Sequence, residues 1–310
     1  MLALQVTQIH KSYSDKVEAL KEITFSVEKG EIFGLVGPDG AGKTTLFNIM
    51  TTLLFADSGT VNILGMDVET DYKKVRRVIG YLPGVFSLYP DLTVEENLVF
   101  FATMYKSNIA ENMPMIKSIW KQLMPFKKRK AGKLSGGMKQ KLALCCALIH
   151  KPEILFLDEP TTGVDPVSRK EFWDILKNIR EQGITVVVST PYMDEATRCD
   201  RIALMQEGSI IKINTPEVII NEFSGELYTL RPDNIFSLLK AMEECTLKCI
   251  FYPYGEHFHV IFYETNQQTI ARFEQFLNEK QQIYHDFHKI APSIEDCFIE
   301  LMEKRGGEDA

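Results

Sequence analysis

The chain has 310 residues, 45% of them hydrophobic and 25% charged, which allows two folded domains and excludes a disordered or fibrous protein. Its formal net charge of −7 gives no electrostatic footprint for general nucleic-acid binding, so we expect no nucleic-acid partner. The sequence has no secretory leader and no apolar run long enough to span a bilayer, so we expect a cytoplasmic chain without a transmembrane segment of its own.

The N-terminal part of the chain predicts strands followed by a glycine-rich loop. Alternation over 2–27 predicts antiparallel strands, and 31–36 predicts a buried strand. Residues 37–45 then fit the phosphate-loop pattern G-x-x-x-x-G-K-S/T and open a helix. The glycines let backbone N–H groups face an anion, the helix N-terminus adds its positive end, and Lys43 adds a full charge. We predict a nucleotide site here, with Mg²⁺ bound by the Thr44 hydroxyl. The assigned residues are Gly37, Pro38, Asp39, Gly40, Ala41, Gly42, Lys43, Thr44 and Thr45.

A helical insertion interrupts the strand pattern. After short predicted strands at 59–65 and 78–82, the apolar period changes from two to 3.6 between about residues 86 and 150. Such an insertion in an α/β domain can carry a separate task. The predicted helices are 94–105, 115–123 and 137–148.

An apolar strand that ends in two carboxylates follows the insertion. Residues 154–157 predict a buried strand, and Asp158 and Glu159 come directly after it. Such a strand places Asp158 beside the expected Mg²⁺ site and leaves Glu159 able to accept a proton from an attacking water. A helix is predicted to begin at Asp165-Pro166, with Asp as the N-cap, and 184–189 predict the next strand.

The character of the sequence changes after about residue 215, and we divide the chain into domains 1–220 and 221–310. The order of elements in the second domain is β-α-β-β-α-β with a final helix, which is typical of a ferredoxin-like α+β domain. The predicted strands are 227–230, 246–251, 257–263 and 283–287, and the predicted helices are 234–244, 267–279 and 294–304.

Two clusters in the sequence have a simpler interpretation than a functional one. Cys245, Cys249, His257 and His259 follow no standard zinc spacing, so we expect no metal there. The two histidines alternate with apolar residues, which predicts that they lie on a solvated strand face. The basic run 127–130 is interpreted as a solvated surface.

Three segments together carry a family resemblance. Residues 134–142, Leu-Ser-Gly-Gly-Met-Lys-Gln-Lys-Leu, precede the acidic pair, and 160–166, Pro-Thr-Thr-Gly-Val-Asp-Pro, follow it. With the phosphate loop, they make the chain over about 1–215 resemble the ATP-binding cassette (ABC) family. The resemblance implies an α/β P-loop NTPase fold of ABC type, with a mixed sheet, an antiparallel β subdomain and a helical subdomain at about 86–150.

The resemblance also implies roles for individual residues, with ATP and Mg²⁺ as ligands. Tyr13 matches the aromatic residue that stacks on adenine, although a packed strand aromatic is the alternative. Thr44 and Asp158 match the metal ligands, and Glu159 matches the catalytic base. In the family, the segment corresponding to Ser135, Gly136 and Gly137 completes the site of a second cassette, and the loop corresponding to 163–165 crosses between cassettes.

Two departures from the family pattern concern the reacting centre. Gly84 stands where the family carries a glutamine that contacts Mg²⁺ and the attacking water. Pro191 stands where it carries a histidine that holds the γ-phosphate. Neither residue has a polar side-chain group, so we expect slow hydrolysis at this chain's own site. Asp39, where asparagine is more usual, adds a carboxylate near the phosphates.

The expected partners are a second cassette and integral membrane permease subunits. Intact Ser135–Gly137 beside a degenerate site favours a heterodimer, and a homodimer stays open. Residues 291–301 resemble the C-terminal ending of exporter ATPase subunits, although an amphipathic helix packed on its own small domain is the alternative. The family resemblance implies a peripheral protein on the inner face of the cell membrane. The apolar segment 86–105 is predicted either to dock a permease helix or to pack in the core. A soluble, non-transport cassette ATPase is the alternative function.

Overall fold

The chain forms two units, and each is built around β-sheet. The computed structural model describes residues 1–14, 17–263 and 267–308, and residues Met1–Pro216 and Glu217–Ala310 form separate units. The strands of the first unit are β1 (Leu2–Ser14), β2 (Val17–Glu28), β3 (Ile32–Val36), β4 (Ser58–Ile63), β5 (Met66–Asp67), β6 (Ile79–Leu82), β7 (Ile154–Leu157), β8 (Thr185–Thr190), β9 (Arg201–Gln206) and β10 (Ser209–Asn214). Its helices are α1 (Lys43–Met50), α2 (Tyr72–Val78), α3 (Val94–Met104), α4 (Ile109–Leu123), α5 (Gly136–Leu148) and α6 (Pro166–Glu181).

A six-stranded sheet with the order β10-β9-β3-β8-β7-β6 positions the candidate site. β3, β8, β7 and β6 pair in parallel, and Val36 stands opposite Thr190. Every residue of β3, β7 and β8 is buried, as is typical of parallel strands whose two faces are both covered. The carboxyl ends of these three strands therefore meet at one edge, and the segments that follow them are neighbours.

A second, antiparallel sheet has the order β2-β1-β4-β5 and packs on the same core. Phe25 of β2 stacks on Phe33 of β3 with ring centroids 5.2 Å apart. Leu46 and Phe47 of α1 are fully buried in the same cluster. A helix as short as α1 is marginal by itself, so apolar packing stabilises the helix that follows the phosphate loop.

The helical insertion contains α3, α4 and α5. α3 begins with a capping box, in which Thr93 accepts from the Glu96 backbone and Glu96 accepts from the Thr93 backbone. α4 begins at Ile109, six residues before the helix predicted at 115–123, because Asn108 caps it and Pro114 is accommodated inside it. Proline inside a helix normally ends the pattern, which is why the sequence predicted too short a helix here.

The second unit has the predicted element order. Its elements are β11 (Glu226–Pro232), α8 (Ile235–Met242), β12 (Cys249–Tyr254), β13 (His257–Phe262), α9 (Gln267–Glu279), β14 (Tyr284–Ile290) and α10 (Ile294–Glu308), and α7 (Pro216–Asn221) precedes them. The four strands form an antiparallel sheet with the order β12-β13-β11-β14. This arrangement supports the ferredoxin-like assignment, which remains a prediction.

His259 is buried, so the prediction that it lies on a solvated strand face is wrong. Only 5% of it is exposed, and its Nδ1 atom lies 2.7 Å from Oδ1 of Asp296, on α10. The hydroxyl of Tyr252 donates to the same oxygen at 2.6 Å. Phe258 and its alternating neighbours face the α8 and α9 side, as predicted. The C-terminal helix covers the opposite face, which local alternation alone could not reveal.

Asp296 also has a structural role in the segment 291–301, which resembles the C-terminal ending of exporter subunits. Its Oδ2 atom accepts from both the backbone N–H and the hydroxyl of Ser293, and the Ser293 hydroxyl accepts from the Asp296 N–H. This capping box begins α10. Burial acts to raise the pKa of Asp296, but the hydrogen bonds from His259, Ser293 and Tyr252 outweigh it and hold that pKa below its usual value.

Replacing Asp296 by Ala should destabilise the second unit by about 3 kcal/mol, because it removes a charged acceptor and leaves buried donors unpaired. Hydrogen exchange of the β13 amides measures the change. Since the folded pKa is lowered, the stabilisation is present above about pH 3.9 and is lost as pH falls through the lowered pKa. Exposed Glu243→Ala, in the same unit, is the control, and equal protection in the two variants would contradict the assignment.

Candidate nucleotide-binding site

The phosphate loop joins β3 to α1 and requires glycine at specific positions. Gly40 and Gly42 have φ values of +81° and +99°, in the left-handed region that favours glycine. A Cβ atom at Gly42 would also lie 2.6 Å from the Ala19 carbonyl oxygen, and one at Gly37 would lie 2.2 Å from the Met205 carbonyl oxygen. The glycines therefore serve both backbone conformation and close approach.

Lys43, the first residue of α1, is folded over the loop. It is 3% exposed, and its Nζ donates to the carbonyl oxygens of Gly37 and Pro38 at 2.8 and 2.9 Å. Nζ also lies 3.2 Å from Oε1 of Glu159. The buried ammonium is thus surrounded by acceptors, and phosphate oxygens could replace these acceptors without leaving the charge unpaired.

An open cavity of about 830 Å³ extends from the loop, a size typical of small-molecule sites. Tyr13 forms part of its wall, is 58% exposed, and has its hydroxyl 3.2 Å from Oγ1 of Thr45. A packed strand aromatic would be buried, so this placement favours the binding interpretation. The predicted site residues that line the cavity are Tyr13, Asp39, Gly40, Gly42, Lys43, Thr44, Thr45 and Glu159. The sequence analysis did not assign Val17, Glu18, Ala19, Lys21, Glu207 and Gly208, which also line it.

Asp158 lies at the carboxyl end of β7 and is 2% exposed. Burial raises its pKa, and hydrogen bonds from Ser189 and Thr44 only partly offset that effect. The Thr44 hydroxyl and the Asp158 carboxylate are therefore neighbours, and both offer oxygen atoms as metal ligands. Mg²⁺ prefers oxygen ligands and is usually held by one or two carboxylates plus substrate phosphates, so this donor pair fits Mg²⁺.

Ser189 is a site residue that the sequence analysis missed. It is fully buried in β8, its Oγ donates to Oδ1 of Asp158 at 2.6 Å, and it accepts from the Glu159 backbone N–H at 2.9 Å. Glu159 has a φ of +47°, which a non-glycine residue adopts only when its surroundings hold it. The sequence did hold a signal for this residue: the strand predicted at 184–189 ends at Ser189, and its carboxyl end lies on the same edge of the sheet as the acidic pair.

The two departures from the family pattern lie at this edge. A Cβ atom at Gly84 would be 3.3 Å from the Asp158 carbonyl oxygen and 3.9 Å from its Oδ2. Pro191 directly follows β8. Two positions next to the acidic pair thus carry no polar side-chain atom.

Ser135, Gly136 and Gly137 do not line the cavity. Ser135 is exposed and caps α5 by accepting from the Met138 N–H at 3.4 Å. A Cβ at Gly136 would be 3.6 Å from the Gly163 carbonyl oxygen. The structure therefore brings this segment to the 163–165 loop of the same chain and leaves Ser135 and Gly136 open to solvent.

Within 1–14, 17–263 and 267–308, no group of three or more His, Cys, Asp or Glu side chains is placed to hold a metal ion. In the same ranges, no helix has the length and apolarity needed to cross a bilayer.

Residues 20–162 match the family profile described as ABC transporter. The chain is 43% identical over 216 residues to the probable multidrug ABC transporter ATP-binding protein YbhF of Escherichia coli K12, covering 69% of this chain and 37% of that protein. It is 38% identical over 226 residues to the linearmycin resistance ATP-binding protein LnrL of Bacillus subtilis 168, covering 72% of each. It is 35% identical over 246 residues to Nod factor export ATP-binding protein I of Mesorhizobium japonicum, covering 77% and 72%.

Solved structures of cassettes share the fold. CbiO1 of Clostridium perfringens, part of an ABC transporter complex, aligns with a TM-score of 0.64 and 28% identity over 71% of this chain and 91% of its own. The cassette MJ0796, described as a dimer bound to ADP and Pi, aligns with a TM-score of 0.61 and 28% identity over 68% and 98%. The predicted α/β P-loop NTPase fold of ABC type is therefore confirmed, and the chain belongs to the family of ABC transporter ATP-binding proteins.

Proposed function

We propose that the chain is the ATP-binding subunit of an ABC exporter, that it pairs with a second cassette, and that it acts on separate membrane subunits from the inner face of the cell membrane. The observation that carries the proposal is the convergence of the phosphate loop and Glu159 at one cavity, with Asp158 hydrogen-bonded to Thr44 behind it, while Ser135 is exposed outside the cavity. The names of the relatives, which refer to multidrug, linearmycin and Nod factor proteins, support the exporter class.

Each predicted site residue has a role in this proposal. The 37–45 backbone and Lys43 bind the phosphates, and Tyr13 stacks on adenine. Thr44 and Asp158 would hold Mg²⁺, which would supply positive charge to stabilise the negative charge that develops on the phosphates. Glu159 accepts the proton of the attacking water. Ser135 and the two glycines after it contact the γ-phosphate of ATP held by the second cassette.

Slow hydrolysis at this chain's own site is part of the proposal. Gly84 and Pro191 supply none of the donors that the family pattern places there, although the binding groups are in place. By analogy with the loss of one preorganised donor, each departure should cost roughly 10² to 10³ in rate, or about 3 to 4 kcal/mol. A partner cassette with a complete site would then perform most of the turnover, which favours a heterodimer.

The permease contact is proposed at an apolar surface of the helical insertion, here called the docking surface. Tyr89 and Phe100 are both exposed and lie edge to face with ring centroids 4.7 Å apart, so the aromatics of this segment are not ordinary core. Lys139 of α5 lies over the Phe86 ring at 5.2 Å, which connects the surface to the helix that Ser135 caps. The docking surface consists of Val85, Phe86, Tyr89, Val99, Phe100 and Met104, all exposed.

Co-expression with a permease encoded in a neighbouring reading frame tests the proposal. We expect the chain to copurify with membranes, and Phe100→Glu to release it by placing a charge in an apolar contact. Phe236→Glu is the matched control, because Phe236 is an exposed aromatic of the second unit. Copurification with a soluble scaffold instead of membranes would contradict the transport role.

Ser189→Ala should weaken Mg²⁺-dependent ATP binding by about tenfold, because Asp158 loses the hydrogen bond that orients it while remaining buried. Equilibrium binding of ATP with Mg²⁺ and with EDTA separates the metal-dependent part. Ser189→Thr keeps the hydroxyl and should retain that part. An equal loss with EDTA would instead place the effect in the phosphate loop.

A further inference from the structure

A buried carboxylate lies in the short 3₁₀ segment Met193–Arg198 that follows β8. The side chain of Glu195 is 3% exposed. Its Oε2 accepts hydrogen bonds from the hydroxyls of Thr161, at 3.0 Å, and Thr190, at 2.6 Å, and both threonines are buried. Because a buried carboxylate is costly unless it is hydrogen-bonded or paired, its position is narrowly defined.

The two threonines flank the reacting part of the site. Thr161 lies two residues after Glu159 in the sequence. Thr190 directly precedes Pro191, and its hydroxyl also accepts the backbone N–H of Tyr192 at 3.1 Å. The Glu195 carboxylate therefore connects the segment that follows Glu159, the proposed general base, to Thr190. Through the Thr190 hydroxyl it is also connected to Tyr192, on the other side of position 191.

Arg169 connects the same carboxylate to α6. Its Nε lies 3.6 Å from Oε1 of Glu195, and its guanidinium carbon lies 4.1 Å from the centre of the Tyr192 ring. Across the described residues, neither this Nε nor this Oε1 has a hydrogen-bond partner. The Arg169 backbone N–H donates to the Asp165 carbonyl at 2.9 Å, so Arg169 stands one helical turn from the 163–165 loop.

We propose that Glu195 is a positioning residue for hydrolysis, an inference that rests on the proposed function. Glu195 does not line the cavity at the phosphate loop. Through Thr161 and Thr190 it holds position 191 in a fixed relation to Glu159. Through Arg169, whose Nε lies 3.6 Å from Oε1 of Glu195, the same carboxylate is also held close to α6.

Kinetics of the Gly84→Gln/Pro191→His chain test the inference. In that background, Thr190→Val should lower kcat by about tenfold and leave KM for ATP within about twofold, because it removes a positioning bond and no binding group. Thr190→Ser retains the hydroxyl and should restore kcat. A kcat unchanged by Thr190→Val would overturn the proposal. So would a parallel loss of kcat, ATP affinity and melting temperature, which indicates general destabilisation.

Hydrogen exchange gives a readout that does not depend on turnover. In the chain with Gly84 and Pro191 in place, Thr190→Val and Glu195→Gln should speed exchange of the Tyr192 amide while MgATP affinity is retained. Thr190→Val, which removes the acceptor of the Tyr192 N–H, sets the scale of the effect, and unchanged exchange in Glu195→Gln would overturn the proposal. If the Gly84→Gln/Pro191→His chain binds ATP but stays inactive, the account of slow hydrolysis fails, and the exchange result still decides the role of Glu195.

Discussion

Replacing Gly84 by Gln and Pro191 by His together is expected to raise steady-state ATP hydrolysis by at least about 10²-fold, because each change restores a polar group beside the acidic pair. At position 84 φ lies outside the left-handed region, but a Cβ would lie 3.3 Å from the Asp158 carbonyl oxygen, so that backbone must move by a few tenths of an ångström to admit the glutamine. The residues on both sides of position 191 are already hydrogen-bonded, because the Thr190 hydroxyl donates to Glu195 and accepts from the Tyr192 N–H. Phosphate release under saturating MgATP measures the gain.

Two controls decide what such a gain means. Adding Glu159→Gln to the double variant should return the rate to that of the unmodified chain, since the amide cannot act as a base. Gly84→Asn with Pro191→His carries a shorter amide and should recover less. A normal cassette rate in the unmodified chain, abolished by Glu159→Gln alone, would contradict the proposal of a slow site.

Lys43→Ala is expected to weaken MgATP binding by about 10²-fold, or roughly 3 kcal/mol, because it removes the cation that we propose as a phosphate ligand, and charge-assisted hydrogen bonds are strong. The ammonium is 3% exposed and already surrounded by oxygen acceptors, so it is preorganised for an anion. Equilibrium binding of a fluorescent ATP analogue gives the affinity, and the shift in melting temperature with ATP gives an independent measure.

Lys21→Ala provides a matched control for that loss. Lys21 lines the same cavity and carries the same charge, but it lies outside the phosphate loop. It should change MgATP affinity by less than about fivefold, as an exposed contact does. Equal losses in the two variants would mean that total charge in the cavity, rather than the position of Lys43, governs binding.

Local patterns predicted much of the fold because they reflect local physical rules. Gly40 and Gly42 have positive φ values, which the glycine-rich loop required. The segments predicted as buried strands at 31–36 and 154–157 form β3 (Ile32–Val36) and β7 (Ile154–Leu157), in which every residue is buried, as is typical of parallel strands covered on both faces. The early start of α4 and the burial of His259 were missed, because each depends on context that a short window lacks.

The sequence by itself determined the family, the phosphate loop, the acidic pair and the two positions that depart from the pattern, since each is a matter of residue type and spacing. Only the tertiary structure decided that Ser189 orients Asp158, that Glu195 joins the segments around Glu159 and Pro191, and that Lys43 contacts Glu159. Apart from the Thr190–Glu195 hydrogen bond, these contacts join residues far apart in the chain. Parallel pairing of β3, β7 and β8 places their carboxyl ends at one edge, and no periodicity in the sequence encodes which polar side chains meet there.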